Sequence, residues 1–199
     1  MRSTTGIAEE KERLRGALRE EERRLTRAAL SASDRLLAER FLALPEVAQA
    51  RTVLLFRSMG AEPDTGPLLA ALLERGKRVA LPRCLPGGRM EARQYLPGIP
   101  LVRHRFGMLE PGLDHPLLEP EEIDLALVPA QVYDVTGMRL GRGGGYYDRY
   151  LAAFPGRTIG LCRDALLRER VPAETHDRPV ELVLTETRRF RRREETPNG

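Results

Sequence analysis

A glycine-rich segment at residues 137–151 constrains the fold of this chain more than any other stretch. It follows an apolar run at residues 125–130, which is typical of the end of a buried strand. It precedes Tyr150, Leu151 and Phe154, which predict the apolar side of a short helix. A strand, a glycine loop and a helix in this order place backbone N–H groups and the positive end of a helix against an anion. Glycine suits such a loop because it lets a phosphate approach without a Cβ in the way.

The loop matches neither of the two common phosphate-binding motifs. A P-loop requires a lysine followed by serine or threonine, and the segment contains no lysine. A dinucleotide fingerprint begins at Gly141-Arg142-Gly143, but Tyr146 stands where its last glycine should be. A structural turn would also account for a glycine cluster. The accompanying Arg139 and Arg142 favour an anion site, because guanidinium groups and converging N–H groups bind oxyanions together.

Apolar runs of strand length alternate with helical segments along the rest of the chain. The predicted strands are residues 52–56, 78–82, 124–129, 158–162 and 182–185, with another at 90–96 at or near an edge. This order predicts a mainly parallel, twisted α/β sheet with helices on both faces. We expect a single domain at residues 1–190 and a disordered tail at 191–199. Ligands of such sheets lie beyond the carboxyl ends of the strands, so the loops after Phe56, Leu81, Val128 and Cys162 should meet.

The first two helices are predicted from apolar spacing and capping residues. A long N-terminal helix is expected over residues 7–30, since leucines and alanines recur there at helical intervals. Ser31 or Ser33 is expected to cap a second helix that ends at Pro45.

Lys11 and Arg15 share one stripe of the first helix with Leu14 and Leu18, because their spacing is i, i+3, i+4 and i+7. The pair is therefore expected to face the protein body, although both side chains could instead extend past the leucines into water. Lys11 is one of only two lysines among 33 basic residues. We expect no acidic residue of the same stripe to neutralise the pair, so a phosphate is the anticipated partner.

The composition excludes several classes of protein. No apolar stretch is long enough to span a membrane, and the charged N-terminus lacks the apolar region of a signal peptide. Cys84 and Cys162 cannot form a disulfide framework or a zinc site on their own, so we expect buried, reduced thiols in a cytoplasmic protein. The net charge of +4 and the basic cluster at residues 188–193 are compatible with nucleic-acid binding. No zinc spacing, RNA-binding aromatic motif or clear helix-turn-helix pattern accompanies that cluster.

The sequence around the glycine loop resembles the signature of the 5-formyltetrahydrofolate cyclo-ligase family, which is also called methenyltetrahydrofolate synthetase. The resemblance rests first on VPAQVYD at residues 128–134 and RLGRGGGYYD at residues 139–148. Weaker pieces occur in the family's order: Lys11 with Arg15, Glu62 with Thr65, Pro82 with Arg83, Val171 with Pro172, and His176-Asp177 followed by Glu181. The chain departs from the usual pattern at Gln131, and at Glu181, where an aspartate is usual.

The resemblance implies a ligase that converts 5-formyltetrahydrofolate to 5,10-methenyltetrahydrofolate with ATP and Mg²⁺, releasing ADP and phosphate. ATP would phosphorylate the formyl oxygen, and the N10 nitrogen would attack the activated carbon. Such chemistry needs positioning and charge neutralisation rather than a covalent enzyme nucleophile. The implied partner is a reduced formylfolate, and from the composition we expect neither a membrane nor a nucleic acid as a partner. The alternatives are another ATP- or phosphate-handling enzyme on a similar sheet, or a nucleic-acid-binding adaptor that keeps the fold.

The same resemblance implies roles for individual residues. Arg142 would stabilise charge on the moving phosphoryl group, and Glu62 and Tyr147 would orient the pterin and the formyl group, with Thr65 contacting the folate. From the residues alone, an ordinary solvated loop carboxylate is the favoured interpretation of Glu62. The implied ATP-binding residues are Lys11, Arg15, Arg139, Gly141, Arg142, Gly143, Gly144, Gly145 and Tyr146. The implied Mg²⁺ ligands are Asp148 and Glu181, whose side chain is one methylene longer than the usual aspartate.

Overall fold

The computed structural model describes residues 4–105 and 107–192 of the 199-residue chain. Its helices are α1 (Thr4–Arg24), α2 (Arg27–Leu42), α3 (Pro45–Gln49), α4 (Gly66–Glu74) and α5 (Tyr146–Leu151). Its strands are β1 (Thr52–Leu54), β2 (Arg78–Leu85), β3 (Arg89–Gln94), β4 (Val102–Arg103), β5 (Leu109–Glu110), β6 (Leu117–Leu118), β7 (Leu125–Val128), β8 (Val132–Tyr133), β9 (Arg139–Leu140), β10 (Arg157–Leu161), β11 (Leu182–Leu184) and β12 (Arg189–Arg191). Short 3₁₀ turns lie at Pro86–Gly88 and Pro120–Glu122.

The central sheet of the described residues has eight strands in the order β12-β11-β10-β7-β1-β2-β3-β6. The inner strands from β11 to β2 run parallel to one another. The outer strands β12, β3 and β6 each run antiparallel to the neighbour nearer the centre. Two short hairpins, β4-β5 and β8-β9, lie outside this sheet. The predicted mainly parallel α/β sheet is confirmed, and the strand expected near an edge is β3.

Successive residues of β1 pack into two separate apolar clusters. Val53 lies in a cluster with Phe41 of α2 and Leu72 of α4. Leu54 lies in the other cluster, together with Leu18 of α1. Alternate side chains of a strand point to opposite faces of its sheet, so helices cover both faces, as predicted. The burial of Leu18 fixes α1, and with it Lys11 and Arg15, on the face that carries the β8-β9 hairpin.

The boundary between the first two helices differs from the sequence-based prediction. The first helix ends at Arg24, and the second begins at Arg27 with Thr26 as its N-cap. The Thr26 hydroxyl accepts a hydrogen bond from the Ala29 N–H at 3.2 Å, and this bond satisfies a donor that a helix start leaves free. Ser33 is instead buried inside α2, where its hydroxyl donates to Glu186. Among the described residues, no helix has the length and apolar character needed to cross a bilayer.

The basic cluster near the C-terminus forms part of the sheet. Residues Arg189–Arg191 form β12 and pair with β11, where Arg191 lies opposite Leu182. Arg191 also forms a salt bridge with Glu46 of α3. The ordered domain therefore extends past residue 190, and Arg191 does not belong to a disordered tail. The rest of the predicted tail, from residue 193 onward, lies outside the described residues.

Candidate active site

A cavity of about 710 Å³ opens at the carboxyl edge of the parallel strands. Its wall includes Phe56 and Glu62 after β1, Pro82 of β2 and Pro129 after β7. Two of the four expected loops, those after Phe56 and Val128, thus line one cavity, whereas the chain after Leu81 continues as β2 and contributes from the strand itself. The loop after β10 supports the wall from behind, because the Arg163 Nε donates to the Ala61 carbonyl at 3.2 Å. Of the predicted site residues, all except Thr65 and Glu181 line this cavity.

The glycine loop forms one side of the cavity through backbone conformations that favour glycine. Gly143 has φ of 93° and Gly145 has φ of 66°, both in the left-handed region. Gly145 is also the N-cap of α5. A Cβ on Gly143 would lie 3.6 Å from the Arg15 guanidinium, so the loop backbone lies close to this cation. The Arg15 Nε donates to the Gly141 carbonyl at 3.1 Å and fixes α1 against the loop.

Lys11 and Arg15 face the protein body as expected, but they have acidic partners. The Lys11 Nζ lies 2.8 Å from Glu174 Oε2 and 2.7 Å from Asp177 Oδ2. The Arg15 Nη1 lies 3.1 Å from Glu12 Oε2, one helical turn earlier. The expectation that no carboxylate neutralises this pair is therefore wrong. The partners of Lys11 come from a loop more than 160 positions away, which helix periodicity could not reveal.

The cluster around Lys11 favours its charged form. Burial disfavours the ammonium, but hydrogen bonds to Asp177 and Glu174 outweigh that effect and raise the pKa of Lys11. Burial likewise opposes ionisation of Asp177, yet hydrogen bonds from the Glu174 N–H and from Lys11 lower its pKa. Both carboxylates line the cavity beside the glycine loop, so a cation and two anions already lie where phosphates are expected.

Glu62 and Arg142 form a salt bridge across the cavity mouth. The Arg142 Nε lies 3.1 Å from Glu62 Oε1, and its Nη2 donates to the Met59 carbonyl at 2.9 Å. The Glu62 side chain is 7% exposed, whereas the Arg142 side chain is 49% exposed. Burial raises the pKa of Glu62 above its ordinary value, even though Arg142 and the Met59 N–H favour the carboxylate. Glu62 is therefore a buried acid and not a solvated loop carboxylate.

Thr65 does not line the cavity. Its side chain is fully buried, and its hydroxyl donates to the Phe56 carbonyl and accepts from the Ser58 N–H. These bonds close the loop between β1 and α4, which carries Glu62. Thr65 therefore positions this loop, and the contact with folate that the resemblance implied is not available to a buried hydroxyl already bonded in this way.

Asp148 and Glu181 lie at opposite edges of the sheet. Asp148 lines the cavity, and its Oδ1 accepts from Arg139 at 2.8 Å and from the Arg178 N–H at 3.0 Å. Glu181 precedes β11 at the amino edge, with an oxygen 3.8 Å from the Nη1 of Arg157 at the start of β10. A metal ion bound by Asp148 at the carboxyl edge cannot also contact Glu181. The sequence-based pairing of these two residues is corrected accordingly.

Two tyrosines at the start of α5 line the cavity next to the loop. The Tyr147 hydroxyl is buried and has no hydrogen-bond partner among the described residues. Burial raises its pKa well above the ordinary value, so this hydroxyl stays protonated and can donate to a ligand. A buried polar group without a partner is costly, and a bound substrate would satisfy it. Tyr146 lies at the first position of α5.

Sequence reasoning missed one wall of the cavity, which the β4-β5 hairpin supplies. Met108, Leu109 and Glu110 line the cavity together with Cys84 of β2. The Cys84 N–H donates to Glu110 Oε2 at 3.0 Å. Burial, the negative charge of Glu110 and a hydrogen bond to its carboxylate raise the pKa of Cys84 to about 11. These residues fall in a stretch rich in proline and glycine, whose sequence shows no helical or strand periodicity.

The fold and the cavity together are typical of an α/β enzyme. A glycine loop, five lysine and arginine side chains and the buried Glu62 carboxyl meet at the carboxyl edge of a parallel sheet, where such enzymes bind substrates. A sequence model of the 5-formyltetrahydrofolate cyclo-ligase family matches residues 7–186. The chain therefore belongs to the 5-formyltetrahydrofolate cyclo-ligase family, and it is a ligase.

Individual relatives are similar over most of their length. The 5-formyltetrahydrofolate cyclo-ligase of Escherichia coli strain K12 is 35% identical over 174 residues, which cover 84% of this chain and 96% of that protein. The protein of the same name from Mycolicibacterium smegmatis is 42% identical over 151 residues, covering 69% of this chain and 75% of that protein. The NMR structure of Aquifex aeolicus 5,10-methenyltetrahydrofolate synthetase matches with a TM-score of 0.83 at 28% identity, covering 95% of this chain and 96% of that one.

Proposed function

We propose that this chain converts 5-formyltetrahydrofolate to 5,10-methenyltetrahydrofolate, using ATP and Mg²⁺ and releasing ADP and phosphate. The γ-phosphoryl group of ATP passes to the formyl oxygen, and the N10 nitrogen closes the ring as phosphate leaves. The observation that carries the proposal is the Glu62–Arg142 salt bridge, which links the glycine loop to a buried acid across one cavity. The family membership supports the same reaction.

The phosphates of ATP fit the glycine loop and the basic residues around it. The backbone of Gly143 lies next to the Arg15 guanidinium, so a phosphate beside the loop would meet backbone N–H groups and a cation together. Lys11, Arg15 and Arg142 line the same side of the cavity. In this proposal Arg142 neutralises charge on the transferred phosphoryl group, and Lys11 exchanges its two carboxylate partners for phosphate oxygens.

Mg²⁺ fits the carboxylate of Asp148. Both hydrogen bonds to this carboxylate go to Oδ1, so Oδ2 has no hydrogen-bond partner among the described residues. Mg²⁺ in phosphate sites is bound by one or two carboxylates together with phosphate oxygens and water. Mg²⁺ supplies charge neutralisation on the phosphates when it is bound. Arg139 holds Asp148 in place, which is a positioning role rather than direct phosphate binding.

The folate lies on the Glu62 and Tyr147 side of the cavity in this proposal. The buried Glu62 carboxyl accepts hydrogen bonds from N–H groups of the pterin. The Tyr147 hydroxyl, which has no hydrogen-bond partner among the described residues, donates a hydrogen bond to the formyl group. Tyr146 packs at the loop next to the ATP site. A cytoplasmic location and the absence of nucleic-acid partners stay predictions from the sequence.

An absorbance assay for 5,10-methenyltetrahydrofolate tests the proposal. The purified chain is mixed with 5-formyltetrahydrofolate and Mg²⁺, with and without ATP. We expect the methenyl chromophore to form only when ATP is present, and to be lost when Mg²⁺ is chelated. ATP hydrolysis without this product would instead identify another ATP-handling enzyme on the same fold.

A further inference from the structure

The β4-β5 hairpin and β2 bring together a second set of chemical groups, of which Cys84 and Glu110 line the cavity. Cys84 of β2, His104 after β4 and Glu110 of β5 each offer one potential ligand atom: a thiol sulfur, a ring nitrogen and a carboxylate oxygen. These three atoms all lie within 4.8 Å of one another. The ligase reaction proposed above uses none of them.

Glu110 is the most deeply buried of the three groups. It is 5% exposed, and it accepts a hydrogen bond from the Cys84 N–H at 3.0 Å. The Cys84 thiol and a ring nitrogen of His104 also lie beside this carboxylate. Buried carboxylates are normally paired with a cation or bound to a metal, because burial of an unpaired charge is costly. A buried carboxylate next to a thiol and an imidazole is therefore a good ligand set for a cation.

We propose that Cys84, His104 and Glu110 form a binding site for Zn²⁺ or a similar borderline-soft divalent cation. Sulfur, imidazole nitrogen and carboxylate oxygen are the three donors that Zn²⁺ takes in proteins. A thiolate and a carboxylate together balance the two charges of the ion. Zn²⁺ with bonds of about 2.0 to 2.3 Å holds its ligands about 3.5 Å apart, so small side-chain rotations close the cluster around an ion.

The donor set separates this site from the proposed Mg²⁺ site. Mg²⁺ prefers oxygen ligands in octahedral geometry, whereas a thiol and an imidazole favour zinc. A second cluster of potential ligands, Glu174, His176 and Asp177, also lies at the cavity. There Lys11 already neutralises both carboxylates at 2.7 to 2.8 Å, and the cluster has no sulfur. The Cys84 cluster is therefore the one that we assign to zinc.

Metal binding at Cys84 would tie the hairpin to the sheet. Cys84 belongs to β2, a strand of the central sheet, while the other two ligands belong to the hairpin that forms one cavity wall. The ion would displace the thiol proton and would leave its fourth position to water or to a ligand in the cavity. The site stands on these contacts alone and does not depend on the ligase reaction.

Calorimetry with Zn²⁺ and absorbance spectroscopy with Co²⁺ test the site on the full, metal-free chain. We expect one Zn²⁺ per chain, and a thiolate-to-Co²⁺ charge-transfer band in the near ultraviolet. Cys84→Ser should abolish the band. Glu110→Gln and His104→Ala should each weaken Zn²⁺ binding by more than about 100-fold, since loss of even an outer partner of a metal ligand costs 10- to 100-fold.

Two control variants make the outcome decisive. Cys162→Ala removes the other thiol, and His176→Ala removes the imidazole of the second cluster; both should keep the band and the affinity. Thermal melting of each metal-free variant shows whether it is folded. If His104→Ala does not fold, the near-isosteric Cys84→Ser and Glu110→Gln variants still test the site. Zn²⁺ binding that survives Cys84→Ser, or that His176→Ala abolishes, would overturn the proposal.

Discussion

The Arg142 Nε lies 3.1 Å from Glu62 Oε1, although 80 positions separate the two residues in the chain. Arg142 belongs to the glycine loop and Glu62 to the loop after β1, so this contact joins the proposed phosphate side of the cavity to the proposed folate side. Glu62 is nearly buried and Arg142 is half exposed. Arg142 should therefore act mainly on ATP and Glu62 mainly on the folate. Each residue should affect the opposite substrate only through the salt bridge between them.

Arg142→Ala should lower turnover far more than it weakens folate binding. Loss of one group that stabilises developing charge typically costs on the order of a hundredfold or more in rate. Steady-state kinetics at saturating ATP and formylfolate measure the effect. Arg35→Ala is a matched control, because Arg35 is an exposed arginine on α2 that pairs with Glu39. Near-normal turnover in Arg142→Ala would reject the assigned role.

Glu62→Gln should weaken formylfolate binding while ATP binding is retained. A hydrogen bond to a charged group is worth about 1.5 to 3 kcal/mol, which corresponds to roughly 10- to 100-fold in affinity. Calorimetry with each ligand separates the two effects, and Glu74→Gln on the exposed end of α4 is the control. If ATP affinity falls while folate affinity is unchanged, Glu62 has been assigned to the wrong substrate.

The pKa of Glu62 predicts a pH-dependent cost in stability. Burial raises this pKa in the folded state, so the folded chain binds the Glu62 proton more tightly than the unfolded chain does. The resulting contribution to the free energy of unfolding is fully present below the ordinary glutamate pKa, and it is lost as the pH rises through the raised pKa. Glu62→Gln removes the titration, and the half-exposed Arg142 loses little when its partner becomes neutral. The melting temperature of the ligand-free variant, relative to wild type, should therefore increase from acidic to neutral pH. A difference that stays constant or shrinks over this range would refute the burial argument.

Lys11→Ala should raise the KM for ATP and also lower stability without nucleotide. The salt bridges to Glu174 and Asp177 would be lost, at a cost of about 1 to 3 kcal/mol. Adding Asp177→Asn to Lys11→Ala should recover part of the stability but none of the ATP affinity. Thermal melting with and without Mg-ATP measures both effects, since bound nucleotide raises the melting temperature by mass action. An unchanged KM would make Lys11 a purely structural residue.

Two glycines of the loop should respond differently to alanine. Gly143 has φ of 93°, so Gly143→Ala should cost roughly 1 to 3 kcal/mol in stability even without ligand. Gly141 has no positive φ, and a Cβ there meets nothing within 4 Å. Gly141→Ala should therefore leave the melting temperature of the ligand-free chain unchanged. It should weaken ATP binding, because the new methyl group would occupy space that we assign to a phosphate. Full ATP affinity in Gly141→Ala would place the phosphates elsewhere in the cavity.

The sequence predicted those features that depend on local pattern. The glycine loop, the strand before it and the short helix after it all follow from apolar runs and glycine positions, and they carry most of the cavity wall. The break between α1 and α2 differs from the prediction because Thr26 caps the second helix, although the two nearby serines have the higher intrinsic N-cap preference. Tertiary contact of α2 with the sheet decides between them, and Ser33 is buried as a result.

Long-range contacts could not be predicted from spacing. The carboxylate partners of Lys11 lie on a loop that approaches α1 only in the folded chain. Glu181 matches a family position in sequence, but the start of β11 carries it to the amino edge, opposite the cavity. The β4-β5 hairpin has strands of two residues each, which are too short to produce an alternating pattern.

The most direct test of the account is the stoichiometry of a single turnover. The purified chain is mixed with limiting 5-formyltetrahydrofolate and excess Mg-ATP, and ADP, phosphate and 5,10-methenyltetrahydrofolate are measured in the same sample. We predict one ADP and one phosphate for each methenyl product, with no product when ATP is omitted. Methenyl product that forms equally well without ATP, or ADP that forms without methenyl product, would contradict the proposed function.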